Sequence, residues 1–237
     1  MKTIGLMGGM SWESSIEYYR IINDLVKEKL GGLHSAKSVM VSVDFGPVEA
    51  HMAAGEWDLV LDELVKTARQ IEAGGADFIL IATNTMHKMF DQVGEAVNIP
   101  MLHIADAAAA SIQELGLKKV GLLGTIYTME QDFYSGRLQD KFGIEVIVPG
   151  EADRQLVDKI IFEELVVGKI QPESKVEYVR IIEDLTGAGA QGVVLGCTEI
   201  PLLVGAEDVS IPVFDTTMLH ASAAVEIALG ERKLENQ

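Results

Sequence analysis

The sequence predicts an α/β protein of two similar halves, each with its own parallel sheet, and three observations predict it. Apolar runs of strand length alternate with amphipathic stretches of helix length along the whole chain. The segment Lys2-Thr3-Ile4-Gly5-Leu6-Met7-Gly8 recurs as Lys118-Lys119-Val120-Gly121-Leu122-Leu123-Gly124. Further along, Ile79-Leu80-Ile81-Ala82-Thr83-Asn84-Thr85 corresponds to Val193-Val194-Leu195-Gly196-Cys197-Thr198-Glu199, and Ile99-Pro100 to Ile211-Pro212. The matches keep their order and a near-constant spacing, as duplication of a domain-sized unit would leave them.

In the first half, strands are expected near 3–7, 39–45 and 77–82, as continuous apolar runs buried on both faces, with Ile99–His103 a further strand. Helices fall near 12–30 and 57–73; Ser11 is placed to cap the first and Gly31-Gly32 to stop it. The second half gives strands near 119–124, 143–148 and 192–196, and helices near 129–141, 153–167 and 173–187. Thr128 and Gln131 have the spacing of a capping box, and Pro172 suits the first position of a helix. A closing helix near 217–229 is expected to return to the first half. Crossings near Ile104–Asp106 and Phe214–Thr217 then divide the chain into a first lobe of residues 1–104 plus 215–237 and a second lobe of 105–214.

Composition narrows the function. A formal charge of −17 over 237 residues repels phosphate backbones and anionic membranes, which argues against nucleic acid and lipid as partners. The single cysteine excludes an internal disulfide and a multi-cysteine metal site, and the five histidines contain no i, i+4 pair, so no metal site is expected. The apolar opening Met1–Gly9 is too short for a signal peptide, and no apolar run reaches membrane-spanning length, so a cytoplasmic location is expected.

Ligands of parallel sheets sit beyond the carboxyl ends of the strands, where both Thr83 and Cys197 fall. Cys197 is followed by Thr198, Glu199 and Pro201, and Thr83 by Asn84 and Thr85, each reading as a helix start. Two helix N-termini facing a cleft would hold a carboxylate without a basic side chain and would lower the pKa of the thiol. Thr125 and Thr128, after the glycine turn of the second half, are further candidate ligand contacts. His87 is expected at the exposed surface of the helix after Thr83, and His103 near the crossing between lobes.

Gly5-Leu6-Met7-Gly8-Gly9-Met10-Ser11, Thr83-Asn84-Thr85-Met86-His87 and Gly196-Cys197-Thr198-Glu199 together resemble the aspartate/glutamate racemase family over essentially the whole chain. The resemblance implies two lobes related by pseudo-twofold symmetry with the active site in the cleft between them, a homodimer, and catalysis without pyridoxal phosphate, metal or other cofactor. In such racemases two cysteines flank the α-carbon, one removing the proton and the other returning it on the opposite face. By position Cys197 is one of them, on the side that in the family serves the L-enantiomer. Met10, Asn84, Thr85, Thr198 and Glu199 align with substrate-contacting positions.

The chain departs from the family pattern twice. Thr83 occupies the place of the first cysteine, and a threonine hydroxyl is a poor base near neutral pH. The stretch Phe45–Met52, where aspartate racemases of the family usually carry a carboxylate-binding arginine, has none, so a less acidic substrate stays open. The expected activity is interconversion of the L and D forms of an amino acid, aspartate or glutamate first, by α-proton abstraction and reprotonation. Two alternatives stand beside it. Arylmalonate decarboxylases resemble the same architecture and work with a single cysteine on the second-half side; a protein that kept the cleft and lost the chemistry would bind an amino acid without exchanging its α-proton.

Overall fold

An apolar run without alternation is stable as a strand only where both faces are covered, and Ile4–Gly8 meets that condition as β1, an inner strand whose residues are all buried. The structure, a computed structural model, describes residues 1–234. The chain divides into two compact units, one of Met1–Ile104 with the segment from His220 onward, the other Ala105–Leu219.

In the first unit, β1 leads into α1 (Trp12–Leu30), followed by β2 (Ser38–Ser42), α2 (Phe45–Ala53), α3 (Trp57–Ala73) and β3 (Phe78–Ile81). A 3-10 turn at Thr85–Met89, α4 (Phe90–Gly94) and β4 (Met101–Leu102) complete it. The four strands are parallel in the order β2-β1-β3-β4. Helix α3 buries Val60, Leu64, Thr67, Ala68 and Ile71, the one-faced spacing of an amphipathic helix. Val60, Leu64 and Ile71 each contribute roughly 1.5–3 kcal/mol when taken from water.

The chain enters the second unit along α5 (Ile104–Glu114) and continues through β5 (Lys119–Gly124), α6 (Ile126–Glu130), α7 (Asp132–Phe142), β6 (Glu145–Ile147) and α8 (Glu151–Glu163). A 3-10 turn at Leu165–Val167, α9 (Pro172–Gly187), β7 (Val193–Gly196), a 3-10 turn at Ile200–Leu202 and β8 (Val213–Asp215) follow. The order β6-β5-β7-β8, again all parallel, repeats the topology of the first sheet. Its core gathers Leu123, Val157, Ile161, Tyr178, Ile182 and Leu195, and Cys197 belongs to the same cluster. Helix α10 (Thr216–Leu229) closes the chain; its later part lies in the first unit, where the Lys2 N–H donates to the Ala228 carbonyl at 2.8 Å.

Several expectations are corrected. The strand expected near 39–45 is not buried on both faces: β2 pairs only with β1 at the sheet edge, and its residues are partly exposed. It also ends sooner, because Asp44 caps α2 by accepting the Gly46 N–H at 3.2 Å. The helix expected near 129–141 is two helices meeting at Gln131, and the cap is not Thr128. Thr125 caps α6, taking the Thr128 N–H, and the Gln131 side chain makes no capping bond. The helix expected near 153–167 stops at Glu163; a 3-10 turn then ends at Gly168 in the left-handed region. Ser11, Gly31 and Pro172 stand where the sequence puts them, at the ends of α1 and the start of α9. Among the described residues no helix is long and apolar enough to cross a membrane.

Candidate functional site

In the first unit the carboxyl ends of β1 and β3 lie side by side, because the strands pair in register through Met7 and Ile81. Beyond β1 the chain turns sharply at Gly9, where φ is +95° and the backbone of Val43 comes so close that a Cβ could not fit. Ser11 then caps α1, accepting the Ser14 N–H at 3.2 Å. The Ser15 hydroxyl donates to the Ser11 carbonyl at 2.9 Å and accepts the Gly9 N–H at 2.8 Å, which fixes the turn carrying Met10. The Ser14 hydroxyl donates to the Ala82 carbonyl at 2.7 Å, and the Ala82 N–H donates to Met7 at 2.9 Å. The first turn of α1 and the residue before Thr83 are thereby tied together. Met10, Thr83, Asn84 and Thr85 are all buried at this end of the sheet.

In the second unit β5 and β7 pair in register through Gly124 and Gly196. A Cβ on Gly124 would lie 2.7 Å from the Gly196 carbonyl oxygen and 3.1 Å from the Thr128 methyl; one on Gly196 would lie 2.9 Å from the Leu123 carbonyl oxygen and 3.2 Å from the same methyl. Glycine at both positions lets the strand ends close under Thr128, which has no exposed surface and whose hydroxyl lies 3.2 Å from that of Thr125. Beyond β7 the Cys197 thiol donates to Glu199 Oε2 at 3.1 Å, and the Thr198 hydroxyl donates to the same oxygen at 2.8 Å. Two donors converge on one carboxylate oxygen, and all three side chains are buried. Thiol, hydroxyl and carboxylate therefore form one hydrogen-bonded unit that can pass a proton between sulfur and oxygen.

The electrostatics reverse the expectation for the thiol. Burial pushes the Cys197 thiol well above its ordinary value, and the Glu199 charge pushes it further; only the hydrogen bond from the Glu199 backbone works the other way. The lowering expected from a helix start is confined to that one backbone N–H, because the segment after Cys197 is a single 3-10 turn of three residues, too short to carry a macrodipole. Thr83 is likewise followed by a 3-10 turn, in which Asn84 makes no side-chain cap bond. Both burial and the Glu199 charge therefore favour the protonated thiol.

The expectation for His87 is corrected too. His87 is not at the surface but 2% exposed, and His103 and His220 are equally buried in the first unit. His87 Nδ1 lies 2.8 Å from the Thr83 carbonyl oxygen, and its Nε2 accepts the Ile104 N–H at 3.2 Å. His220 bridges the Tyr18 hydroxyl at 2.9 Å and the Leu102 carbonyl at 3.0 Å. Neither these bridges nor the supporting roles of Ser14 and Ser15 were expected. The available signal was the apolar setting of three of the histidines, in Met86-His87, Leu102-His103-Ile104 and Leu219-His220-Ala221.

Each unit thus ends a buried strand in a candidate reactive residue, Thr83 in the first and Cys197 in the second, and comparison with known proteins shows the family. The model of the family described as Asp/Glu/Hydantoin racemase matches residues 7–224. The chain belongs to that racemase family. Its relatives are isomerases, and it resembles a putative Asp/Glu racemase from Yersinia pestis over 97% of this chain and 100% of that one, at 54% identity and a TM-score of 0.90. An aspartate racemase homologue from Pyrococcus horikoshii OT3 shares 38% identity over 97% of this chain and 100% of that one, at a TM-score of 0.85. The broad specificity amino-acid racemase RacX of Bacillus subtilis (strain 168) is 22% identical over 95% of this chain and 98% of its own length. Within this racemase fold, the arginine-free stretch after β2 forms α2, whose Val48 and Met52 are buried and whose His51 pairs with Glu56 at 2.7 Å on the surface.

Proposed function

We propose that the chain is a pyridoxal-phosphate-independent amino-acid racemase that interconverts L and D forms, with aspartate and glutamate as the first substrates. Cys197 and Thr83 are assigned to opposite faces of the substrate α-carbon. The observation that carries this is the Cys197 thiol hydrogen-bonded to Glu199 at the end of β7, at the position that duplicates Thr83 at the end of β3.

The chemistry follows from that contact. The thiol and the carboxylate share one proton and one negative charge. Moving the proton to Glu199 leaves a thiolate, which takes the α-proton of the L-enantiomer; the C–H electron pair stays on carbon as a carbanion. A proton delivered from the Thr83 side, by the hydroxyl or a water it holds, completes inversion, after which solvent reprotonates the alkoxide or hydroxide left there and takes the proton from Glu199; return from Cys197 instead restores the starting enantiomer. General acid–base groups of this kind contribute about 10²–10⁴-fold each. L and D forms are equal in energy, so an enzyme slow in one direction is slow in the other; the weak Thr83 side makes exchange of the L-enantiomer faster than inversion.

Met10, Asn84 and Thr85, with Thr125, Thr198 and Glu199, are assigned to substrate binding. Thr128 acts through the Thr125 hydroxyl that it supports. We further propose a homodimer in the cytoplasm. Supporting the dimer, Trp12, Ile16 and Tyr19 expose an apolar stripe on one face of α1; light scattering of the purified protein distinguishes monomer from dimer.

The test is incubation with each enantiomer of aspartate and glutamate, followed by chiral chromatography. Slow appearance of the opposite enantiomer supports the reading. No inversion, with carbon dioxide released from an arylmalonate, would replace it with the decarboxylase alternative.

A further inference from the structure

We propose that His87 is a positioning residue for Thr83: a neutral imidazole, protonated at Nδ1, that clamps the Thr83 carbonyl to the Ile104 amide and so holds the weaker of the two proton-transfer positions in place. The inference rests on the racemase reading and extends it to a side chain outside the duplicated strand ends.

The tautomer follows from the partners. The Ile104 N–H can only donate, so His87 Nε2, 3.2 Å away, must be the unprotonated nitrogen. In a neutral ring the proton then sits on Nδ1, 2.8 Å from the Thr83 carbonyl oxygen, which can only accept. One ring therefore satisfies one buried acceptor and one buried donor. Its orientation is fixed by stacking on Phe90, at 5.6 Å and 12° between planes, and by His103, whose ring centroid is 4.6 Å away.

The consequence for Thr83 depends on what holds the chain on either side. The Ala82 peptide group is anchored on both of its polar atoms, by Met7 and by Ser14. One residue later the strand ladder has ended, since β3 stops at Ile81. The carbonyl of Thr83 then depends on His87, so the imidazole sets the peptide plane that follows the Thr83 side chain. The second unit has no equivalent, because the Cys197 carbonyl accepts the Ile200 N–H at 3.2 Å within its own turn. A hydroxyl that must protonate a carbanion from the correct side depends on close placement, since a misplacement of about 1 Å can cost about 10²-fold.

The test uses three variants of the full chain. His87→Phe keeps the ring and its stacking and loses both bonds; His87→Asn keeps a donor near the Nδ1 position; His87→Gln keeps an acceptor near the Nε2 position. Each is incubated with L-aspartate in heavy water, and inversion to D-aspartate is divided by α-proton exchange in retained L-aspartate. In His87→Phe this ratio is expected to fall by about tenfold or more, a modest part of a general acid's contribution. Exchange in the L-enantiomer, served by Cys197, should persist and report that the fold is intact. His87→Asn is expected to restore the ratio in large part and His87→Gln much less. An unchanged ratio in His87→Phe, or loss of both activities in proportion, would assign His87 to the core alone and overturn the proposal.

A readout without substrate separates this failure from that of the racemase reading. Nitrogen-15 correlation spectra of the wild-type ring should show the Nδ1–H tautomer, and the Thr83 carbonyl carbon should shift in His87→Phe but far less in His87→Asn. An Nε2–H tautomer, or a Thr83 carbonyl indifferent to His87→Phe, would overturn the clamp whether or not the protein turns over an amino acid.

Discussion

Thr83 and Cys197 occupy duplicate positions in duplicate sheets, yet the two strand ends are held by opposite means. Around Thr83 the polar groups come from a distance: Ser14 from α1 on Ala82, and His87 on Thr83 itself. Around Cys197 they come from the next two residues, with the Cys197 thiol and the Thr198 hydroxyl converging on one oxygen of the Glu199 carboxylate. One end carries a buried thiol–carboxylate pair, with Thr216 bonded to the Leu195 carbonyl behind it; the other carries a hydroxyl whose neighbouring carbonyls are held by Ser14 and His87. Duplication preserved the strand order and register while the chemistry at the two ends diverged.

Removing the reactive group should have the largest effect. Cys197→Ala is expected to lower α-proton exchange by about 10²–10⁴-fold, the range for loss of a general acid–base group, as measured by proton NMR. Thr83→Ala should slow inversion while leaving exchange in the L-enantiomer near wild type, and equal losses in both would show that the ends do not divide the work by face. Placing a second thiol at the weaker end is the converse experiment. Thr83→Cys should raise inversion relative to exchange, by about tenfold or more if the new thiol matches the contribution of an ordinary general acid; chiral chromatography of the product reads the change.

A smaller effect concerns the thiol's ionisation. Burial and Glu199 hold Cys197 above its ordinary value, so the thiolate fraction and the rate of alkylation by iodoacetamide should still be rising at pH values where a free thiol has levelled off. Glu199→Gln removes the charge but not the burial, so the profile should move to lower pH without reaching that of a free cysteine. A profile unmoved by the substitution would show that the carboxylate does not control the thiol. The smallest change is at Thr128, whose methyl covers the closed ends of β5 and β7. Thr128→Ser should cost about 1 kcal/mol, the scale of deleting one buried methyl group, read as a lower urea midpoint.

Much of this architecture was legible in the sequence, and the exceptions have physical causes. Strand β1 and helices α1, α3 and α9 announce themselves through apolar runs, one-faced periodicity and the boundary residues Ser11, Gly31 and Pro172. Helix α2 was hidden because Phe45-Gly46-Pro47 reads as a turn, although a proline in the first turn of a helix lacks only an N–H that has no intrahelical acceptor. His87 was misplaced because it sits in a 3-10 turn, where the spacing that separates exposed from buried helix faces does not apply. Thr83 and Cys197 stand out as candidates through the duplication, and their expected roles come from the family resemblance. The direction of the thiol's ionisation could not be read this way, since it depends on burial and on a carboxylate two residues away in a turn.

The most direct measurement is loss of the α-proton signal of L-aspartate and L-glutamate in heavy water, for wild type and Cys197→Ala side by side. Exchange in the wild type that disappears with the thiol, and that outpaces formation of the D-enantiomer, is the expected result. Exchange that survives in Cys197→Ala, or inversion that keeps pace with exchange, would contradict the division of labour between the two strand ends.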